Sequence, residues 1–433
     1  MAQAEIILKD FIKPSSPTPL HLKHHKLSFI DSLPTPVYLP YILFYQNNPS
    51  FDLSQISHQL KTSLSFTLTK YYPLAGRIQD DIFVDCEDSG APYIEARVHT
   101  SLSDATQNFV IEEFNRYLPI DPYESLGEIL KSTVPLAVQV SFFDCGSIAI
   151  GICISHRVAD ALSAVMFLNS WSANCKSNDD NEILKPNFDL GCFYFPAPKD
   201  VLPSAPLRSV VKKEKVVAKR LVFDKEKLEK LKKLASSVSD SPVKDPTRVE
   251  ALSAYICKNV IDVNQAKVDA RLGFVALHAV NLRPKIKLPN TEFAFGNISL
   301  PISALLRPDT EKERHDIVGH LRNAIRSVND DFVKNVVQER EPYLRIMSET
   351  REVLAKEDVC FCNFSSWCRF PIYEVDYGWG KPFAVGTAAV PRKNTIILMS
   401  TKCGDGIEAW VNTAEEDIGM LSSEFLSHVN HDF

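Results

Sequence analysis

The fold is decided by residues 134–175, VPLAVQVSFFDCGSIAIGICISHRVADALSAVMFLNSWSANC. The first half of this stretch predicts two apolar strands joined by a turn at Asp144-Cys145-Gly146. The second half places apolar residues at helical spacing and predicts an amphipathic helix. His156 lies directly after the second strand, where the chain passes from a strand to a helix. A fixed backbone of this kind can hold an imidazole in one place.

The rest of the chain repeats this mixture of strands and helices. Residues 216–223, VVAKRLVF, predict a strand, and the helix predicted after it has Leu228, Leu231 and Leu234 at helical spacing. A further strand is predicted from Leu272 toward Arg283, and a hairpin is predicted around Gly404-Asp405-Gly406. The sequence therefore predicts an α/β protein with mixed sheets.

The length of the chain predicts more than one domain. A single hydrophobic core rarely serves 433 residues, so two domains are expected. Prolines 196, 198, 203 and 206 are too closely spaced for a helix or a central strand. We therefore predict an N-terminal domain over residues 1–200, a linker over 201–215 and a C-terminal domain over 216–433.

Composition and charge exclude several classes of protein. A formal net charge of -6 and the lack of a basic stripe argue against a nucleic-acid partner. The apolar stretches are far shorter than the roughly 20 residues of a spanning helix, so no membrane segment is expected. The N-terminus lacks the apolar region of a secretory signal, and ten cysteines at irregular spacings indicate reduced thiols. These features predict a cytoplasmic protein.

The sharpest chemical motif is His156-Arg157-Val158-Ala159-Asp160, an H-x-x-x-D pattern. An imidazole has an ordinary pKa of about 6.5, so it can take a proton from an alcohol near neutral pH and pass it to a leaving group. On a helix, Asp160 would share a face with His156 and form a dyad. A structural carboxylate paired with a cation, for which Arg283 is available, is the favoured alternative. A third interpretation is that His156 only caps the helix.

A second motif, Asp376-Tyr377-Gly378-Trp379-Gly380, lies near the C-terminus. Two glycines around a tryptophan allow the main chain to come close to a ligand or to another part of the protein. From physics alone, a ligand-binding loop and a core-anchoring turn fit this motif equally well.

Together, the two motifs resemble the two signatures of the plant BAHD acyltransferases, in the order and at the separation typical of that family. The second signature usually has Phe at the position of Tyr377. The resemblance covers essentially the whole chain, because further segments are similar to family blocks: Tyr72-Pro73-Leu74-Ala75-Gly76-Arg77, Asn281-Leu282-Arg283, Gly296-Asn297, Ser366-Trp367 and Asp405-Gly406.

The resemblance implies a fold and a reaction. The fold would consist of two similar domains related to chloramphenicol acetyltransferase, with a solvent channel between them. Acetyl-CoA would be the acyl donor, with no tightly bound cofactor and no metal, and a small-molecule alcohol would be the acceptor. His156 would deprotonate the acceptor for direct attack on the thioester, without an acyl-enzyme. A monomer is expected.

The resemblance also assigns roles to individual residues. The catalytic residues would be His156 and Asp376. The resemblance places Asp376 away from the reacting centre, where it holds the shape of the channel although it is often regarded as essential, and we favour that structural role. Asp160 would pair with Arg283. The glycines and the tryptophan of the second signature, Gly378, Trp379 and Gly380, would be structural. Coenzyme A carries phosphates, so its site should hold basic side chains; the predicted site is Arg248 with its neighbour Thr247.

Within the family, the sequence is most similar to alkaloid acetyltransferases, through Pro14-SSPTP, Val84-DCEDSG and Ser366-WCR among other segments. We therefore favour acetyl transfer to a hydroxyl of a monoterpenoid indole alkaloid. Alternatives are transfer of a malonyl or aromatic acyl group to another plant alcohol, and a non-catalytic scaffold with the same fold. A metal hydrolase would need a further ligand at a consistent spacing near His156, and the sequence has none.

Overall fold

The structure, a computed structural model, describes residues 4–80, 82–107, 110–123, 133–177, 185–196, 215–236, 242–268, 272–309, 312–356 and 358–419. The chain forms two compact units, each built from three separate segments. The first unit comprises Met1–Ser209, Leu288–Ile298 and Phe370–Ala388, and the second comprises Val210–Lys287, Ser299–Arg369 and Ala389–Phe433.

These units differ from the predicted domains in two places. Residues 288–298 and 370–388 lie in the first unit, although their sequence positions are C-terminal. Residues 370–388 belong to the first unit because Ala384–Gly386 forms an edge strand against Ile42–Phe44. Residues 288–298 belong to it because the backbone of Asn187 forms hydrogen bonds with Phe293 and Phe295. Of the predicted linker, residues 201–214 lie outside the described residues.

The main sheet of the first unit has six strands in the order β1-β6-β7-β8-β3-β13. Every residue of β3, β7 and β8 is buried, which fits their near-continuous apolar sequence. The strands are β1 (Ala4–Ile12), β3 (Tyr38–Tyr45), β6 (Ala91–Val98), β7 (Leu136–Phe143), β8 (Ile148–Ser155) and β13 (Ala384–Gly386).

The described residues of the first unit also form a small sheet and four α-helices. The small sheet has the order β2-β5-β4 and consists of β2 (His24–Lys26), β4 (Arg77–Gln79) and β5 (Phe83–Asp85). The helices are α1 (Leu53–Lys70), α2 (Leu102–Thr106), α3 (Ala161–Ser177) and α4 (Asp189–Tyr194). The two long helices, α1 and α3, pack against each other, and Trp171 of α3 donates a hydrogen bond to Ser63 of α1 at 3.0 Å.

The second unit is built around another six-stranded mixed sheet, in the order β11-β10-β12-β14-β15-β9. Its strands are β9 (Val216–Phe223), β10 (Gly273–Asn281), β11 (Ser299–Leu306), β12 (Val359–Trp367), β14 (Thr395–Ser400) and β15 (Ile407–Ala414). Its helices are α5 (Lys225–Ser236), α6 (Arg248–Val268), α7 (Arg314–Ser327), α8 (Asp330–Gln338) and α9 (Glu341–Leu354). Helices α5, α6 and α7 pack together and share an apolar core with the sheet.

Several predicted elements are confirmed. The turn at Asp144-Cys145-Gly146 joins β7 to β8, and Gly146 has a φ of 80° that favours glycine. The hairpin around Gly404-Asp405-Gly406 joins β14 to β15, and the predicted strands at 216–223 and after Leu272 are β9 and β10. Each described helix falls short, in length or in apolar character, of what a membrane span requires.

Candidate functional site

His156 lies at the end of a strand that is fixed on both sides. Strand β8, which ends at Ser155, pairs with β7 and with β3 over its whole length. The backbone N–H of His156 donates to the carbonyl of Val37 at 2.8 Å, which extends the pairing by one residue. The residue as a whole is half-buried. Its main chain is therefore held in place at the end of the strand.

The structure corrects the predicted relation between His156 and Asp160. Helix α3 begins at Ala161, so His156 precedes the helix and the two residues do not share a helical face. Asp160 occupies the position before the helix, and its Oδ1 accepts from the N–H of Ser163 at 2.9 Å. An aspartate in this position satisfies a backbone donor that the first turn leaves unpaired. A His-Asp dyad on one helix face is therefore wrong.

Asp160 also binds a second segment of the same unit, residues 296–298. Its Oδ2 accepts from the N–H of Ile298 at 3.0 Å, and its own N–H donates to the carbonyl of Gly296 at 3.2 Å. Ser163 contributes a hydroxyl that donates to the same carbonyl at 2.9 Å. Asp160 is 4% exposed, so these bonds are shielded from water. They place the Gly296-Asn297 pair beside His156.

Asn297 is the neighbour of His156 that the sequence did not identify as functional. Its Oδ1 lies 3.0 Å from Nδ1 of His156, and its Nδ2 donates to the backbone carbonyl of His156 at 2.8 Å. The sequence offered one signal, the Gly296-Asn297 block, but no role followed from it. Gly296 has a φ of 130°, which only glycine adopts without strain, and this turn presents the next residue to the histidine.

Burial lowers the pKa of His156 below its ordinary value, because the surrounding protein disfavours the charged ring. The negative charge of Asp160 and the hydrogen bond to the amide oxygen of Asn297 act in the opposite direction but do not cancel the effect of burial. The ring is therefore neutral near pH 7. A neutral imidazole is the form that accepts a proton.

The second motif forms a loop that its own aspartate organises. Oδ1 of Asp376 accepts from the N–H groups of Gly378 and Gly380, both at 2.9 Å, and Oδ2 accepts from Nζ of Lys176 at 3.0 Å. These bonds lower the pKa of Asp376, against an opposing effect of partial burial. Gly378 and Gly380 have φ values of 111° and 117°, so the loop requires glycine at both positions. In the described structure, the hydrogen bonds of Asp376 do not reach His156.

Aromatic side chains anchor this loop in the first unit. Tyr377 and Trp379 stack on each other with ring centroids 5.5 Å apart, and Tyr377 also lies edge-on to Trp171 at 5.0 Å. Tyr45 contacts both rings of the loop from strand β3. Both Tyr377 and Trp379 are buried. The contacts are those of a core-anchoring turn.

The remaining predicted residues lie in the second unit. Arg283 is 2% exposed and follows strand β10, where its N–H and its guanidinium donate to Oδ1 of Asn281. Thr247 precedes helix α6: its N–H donates to Glu250 at 2.8 Å, and its hydroxyl accepts from the N–H of Glu250. This reciprocal pair is a capping box. Arg248 donates to the carbonyls of Gly404 and Asp405.

Within the described part of the chain, no three histidine, cysteine, aspartate or glutamate side chains come together as a metal site requires.

Comparison with known proteins identifies the family. The model of the Transferase family, the BAHD acyltransferases, matches residues 2–427. The chain belongs to this family. The BAHD match spans nearly all of the chain, so it includes both motifs and the histidine site described above.

Individual BAHD relatives are similar over their whole length. Stemmadenine O-acetyltransferase of Catharanthus roseus is 46% identical, covering 100% of this chain and 99% of the relative. Vinorine synthase of Rauvolfia serpentina is 43% identical, with coverage of 100% and 99%. The crystal structure of vinorine synthase superposes with a TM-score of 0.86, at 42% identity and 98% coverage of each chain.

A more distant structure shares the fold. F. graminearum TRI101 complexed with coenzyme A and T-2 mycotoxin has a TM-score of 0.74 at 17% identity, covering 93% of this chain and 98% of that chain. The predicted fold class of two mixed-sheet domains with helices is confirmed. The chain is a BAHD acyl-CoA-dependent O-acyltransferase.

Proposed function

We propose that this BAHD protein transfers an acetyl group from acetyl-CoA to a hydroxyl of a plant alkaloid, with His156 as the general base. The observation that carries the proposal is the placement of the imidazole. His156 is held at a strand end, is neutral at physiological pH, and has Nδ1 engaged by Asn297. This leaves Nε2 as the nitrogen for a substrate.

The proton moves in two steps in this proposal. Nε2 of His156 takes the proton of the acceptor hydroxyl while the oxygen attacks the carbonyl carbon of the thioester. The tetrahedral intermediate then collapses, the carbon–sulfur bond breaks, and the protonated imidazole returns the proton to the leaving thiolate. One residue serves as base and then as acid, and no acyl-enzyme forms.

The relatives support the choice of substrate. Two of them, similar over their full length, carry the names stemmadenine O-acetyltransferase and vinorine synthase. A third, minovincinine 19-hydroxy-O-acetyltransferase, is also from Catharanthus roseus. We propose an alkaloid of the monoterpenoid indole type on this basis.

Other predicted residues have structural or binding roles in the proposal. Asp376, with Gly378, Trp379 and Gly380, maintains the loop whose bonds it organises. Asp160 holds residues 296–298 against His156, and its pairing with Arg283 stays a prediction. Thr247 and Arg248 are proposed to face coenzyme A, although they also cap helix α6 and bind the turn before β15. The channel, the monomeric state and the cytoplasmic location stay predictions.

The test is product mass spectrometry with acetyl-CoA and a mixture of hydroxylated monoterpenoid indole alkaloids. We expect one component to gain a single acetyl group and His156→Ala to abolish the gain. The matched control is His21→Ala, which removes an exposed histidine of the same unit. Full turnover by His156→Ala would overturn the mechanism.

A donor panel separates the substrate proposal from the mechanism. Malonyl-CoA and aromatic acyl-CoA thioesters are offered alongside acetyl-CoA, and simple alcohols alongside alkaloids. A preference for another donor, or for simple alcohols, would overturn the acetyl-to-alkaloid assignment while leaving the role of His156 intact. No turnover with any donor and acceptor would favour the non-catalytic scaffold.

The pH profile gives a second check. Because the pKa of His156 is lowered, the ring stays neutral below its ordinary value of about 6.5. We expect kcat/KM to stay level from neutral pH down to about 6.5 and to fall only at lower pH, as the ring gains its proton.

A further inference from the structure

A buried carboxylate, Asp31, lies behind the Asn297–His156 pair. Asp31 is 8% exposed and belongs to a short 3-10 helix, Ile30–Ser32. Its Oδ2 accepts from the N–H of Ser28 at 2.7 Å and from the hydroxyl of Ser28 at 2.6 Å. Its Oδ1 accepts from the backbone N–H and from Nδ2 of Asn297, at 3.1 and 2.9 Å. Each oxygen of Asp31 thus accepts two hydrogen bonds.

These bonds fix which way the amide of Asn297 faces. One end of the amide lies between Oδ1 of Asp31 and the carbonyl oxygen of His156. Ionised carboxylate and carbonyl oxygens only accept hydrogen bonds, so this end must be the NH₂ group. The other end, which lies 3.0 Å from Nδ1 of His156, must be the amide oxygen.

The orientation of the amide fixes the tautomer of the histidine. An amide oxygen only accepts, so Nδ1 of His156 must carry the hydrogen of the neutral ring. Nε2 is then the unprotonated nitrogen. A reversed amide would offer NH₂ to Nδ1, favour the hydrogen on Nε2, and leave no base toward a substrate.

We propose that Asp31 is a positioning residue that sets the amide orientation of Asn297 and so keeps Nε2 of His156 free to accept a proton. Asp31 acts through Asn297 and does not touch the ring itself. This inference rests on the proposed role of His156 in catalysis. The tautomer of His156, however, can be measured without turnover.

The charge of Asp31 is what makes it suited to this position. A carboxylate can accept from Ser28 with one oxygen and from Asn297 with the other, with no donor to misplace. In Asp31→Asn, an amide replaces the carboxylate. Its NH₂ group must then face either the N–H of Ser28 or the two N–H groups of Asn297, and in both cases two donors face each other. The variant keeps the shape of the side chain and weakens the preference for one orientation of Asn297, which the carbonyl of His156 then supports alone.

A double-mutant cycle tests whether Asp31 acts through Asn297. We expect Asp31→Asn and Asn297→Ala each to lower kcat by about 10- to 100-fold, with little change in KM, because a misplaced base affects the chemical step more than binding. In the Asn297→Ala background, Asp31→Asn should lower kcat no further. Multiplicative losses in the double variant would overturn the proposal, because they would show independent effects.

Nitrogen NMR of histidine-labelled protein reads the tautomer directly. The signals of His156 are assigned by their loss in His156→Ala. We expect Nδ1 of the neutral ring to be protonated in the native protein and Nε2 to gain hydrogen in Asp31→Asn. A native ring with its hydrogen on Nε2 would overturn the proposal even if the variants fail to fold. If His156→Ala retains turnover while the expected tautomer is observed, the proposed function fails and the orientation by Asp31 stands.

Two further variants separate positioning from folding. Ser28→Ala removes only the hydroxyl that binds Oδ2 of Asp31, and we expect a smaller change in the same direction. Asp88→Asn is the matched control, because Asp88 accepts from the N–H and the hydroxyl of Thr18 at 2.9 and 2.6 Å, as Asp31 does from Ser28. Asp88→Asn should leave the tautomer and kcat unchanged. An equal loss of kcat in this control would overturn the proposal.

Discussion

At the scale of single residues, the buried hydroxyl of Tyr377 has no hydrogen-bond partner among the described residues. The ring is 1% exposed and packs against Trp171 and Trp379. A buried hydroxyl without a partner costs about 1–3 kcal/mol relative to water. We expect Tyr377→Phe to keep the ring packing and to raise the free energy of unfolding by about 1 kcal/mol. Thermal and urea unfolding, followed by circular dichroism, measure the difference.

The matched control is Tyr71→Phe. Tyr71 is also fully buried, but its hydroxyl lies 2.7 Å from Oγ of Ser170, so the substitution removes a hydrogen bond and leaves Ser170 without this partner. We expect this variant to be less stable than the native protein by about 1–2 kcal/mol. Equal losses of unfolding free energy in both variants would mean that the hydroxyl of Tyr377 forms a hydrogen bond in solution.

The sequence identified some site residues and missed others. His156 was predicted because it follows an apolar strand within a short motif. Asn297 lies 141 positions from His156, and Asp31 lies 266 positions from Asn297. Their bonds depend on how distant segments meet, which no local pattern specifies. Thr247, predicted for its place beside Arg248, is a helix cap, and the Thr-x-x-Glu spacing already indicated a capping box.

At the scale of elements, strand β8 requires a glycine where another segment crosses it. A Cβ atom built on Gly151 would lie 1.8 Å from the carbonyl oxygen of Tyr117, at the end of the 3-10 helix Ile111–Tyr117. Because the added atom would meet the backbone of the 3-10 helix, neither that helix nor strand β8 can easily move to make room. We expect Gly151→Ala to lower the free energy of unfolding by about 3 kcal/mol, the upper end for overpacking. Hydrogen exchange of β7 and β8 should rise with it.

Gly419→Ala is the control for a glycine without close neighbours. Among the residues that the structure describes, no atom lies within 4 Å of a Cβ built at Gly419. We expect that variant to match the native protein in unfolding and in hydrogen exchange. If Gly151→Ala behaves the same way, the 3-10 helix shifts without cost and the contact with Tyr117 does not constrain the strand.

Periodicity predicted the elements well and their boundaries less well. Strands β7 and β8 and their turn were predicted because continuous apolar runs broken by a glycine turn are typical of buried hairpins. The start of α3 was placed too early, since an apolar pattern does not show where the helical hydrogen bonds begin. The cap at Asp160 determines that boundary.

At the scale of the whole molecule, the division into two units was only partly predictable. Length predicted two domains, but the segments 288–298 and 370–388 lie in the first unit. Their assignment depends on pairing between β13 and β3 and on hydrogen bonds to residues far away in sequence. A proline-rich stretch indicates where a helix or strand ends. It does not indicate which later segments of the chain pack into the same unit.

The stability of the second unit should depend on pH through a buried histidine, His278. Its ring is 5% exposed and stacks on Phe364 at 4.6 Å, and its Nε2 has no hydrogen-bond partner among the described residues. Burial lowers the pKa of His278 to about 4, against a smaller raising effect of the charge of Glu250. The ordinary pKa in an unfolded chain is about 6.5. Between these two values, the unfolded chain binds a proton that the folded unit does not.

The sign of the dependence follows from this difference in proton binding. Stability rises with pH wherever the unfolded state holds more protons, so the contribution is fully present above about pH 6.5 and is lost as pH falls toward about 4. The lowered pKa corresponds to a loss of about 3 kcal/mol over this range. In His278→Leu, this part of the pH dependence should disappear. His58→Leu, at an exposed histidine, is the control.

Hydrogen exchange is the suitable measurement, because a chain of two units need not unfold in one step and exchange reports each unit separately. The amides to follow are those of β10 and β12, the strands that carry His278 and Phe364. After correction for intrinsic exchange rates, their protection should fall between pH 7 and pH 4. We expect this fall to be about 3 kcal/mol larger in the native protein than in His278→Leu. The same comparison with His58→Leu should show no such difference. Equal pH dependence in the native protein and His278→Leu would mean that the ring is already protonated, or reaches water, in the folded second unit.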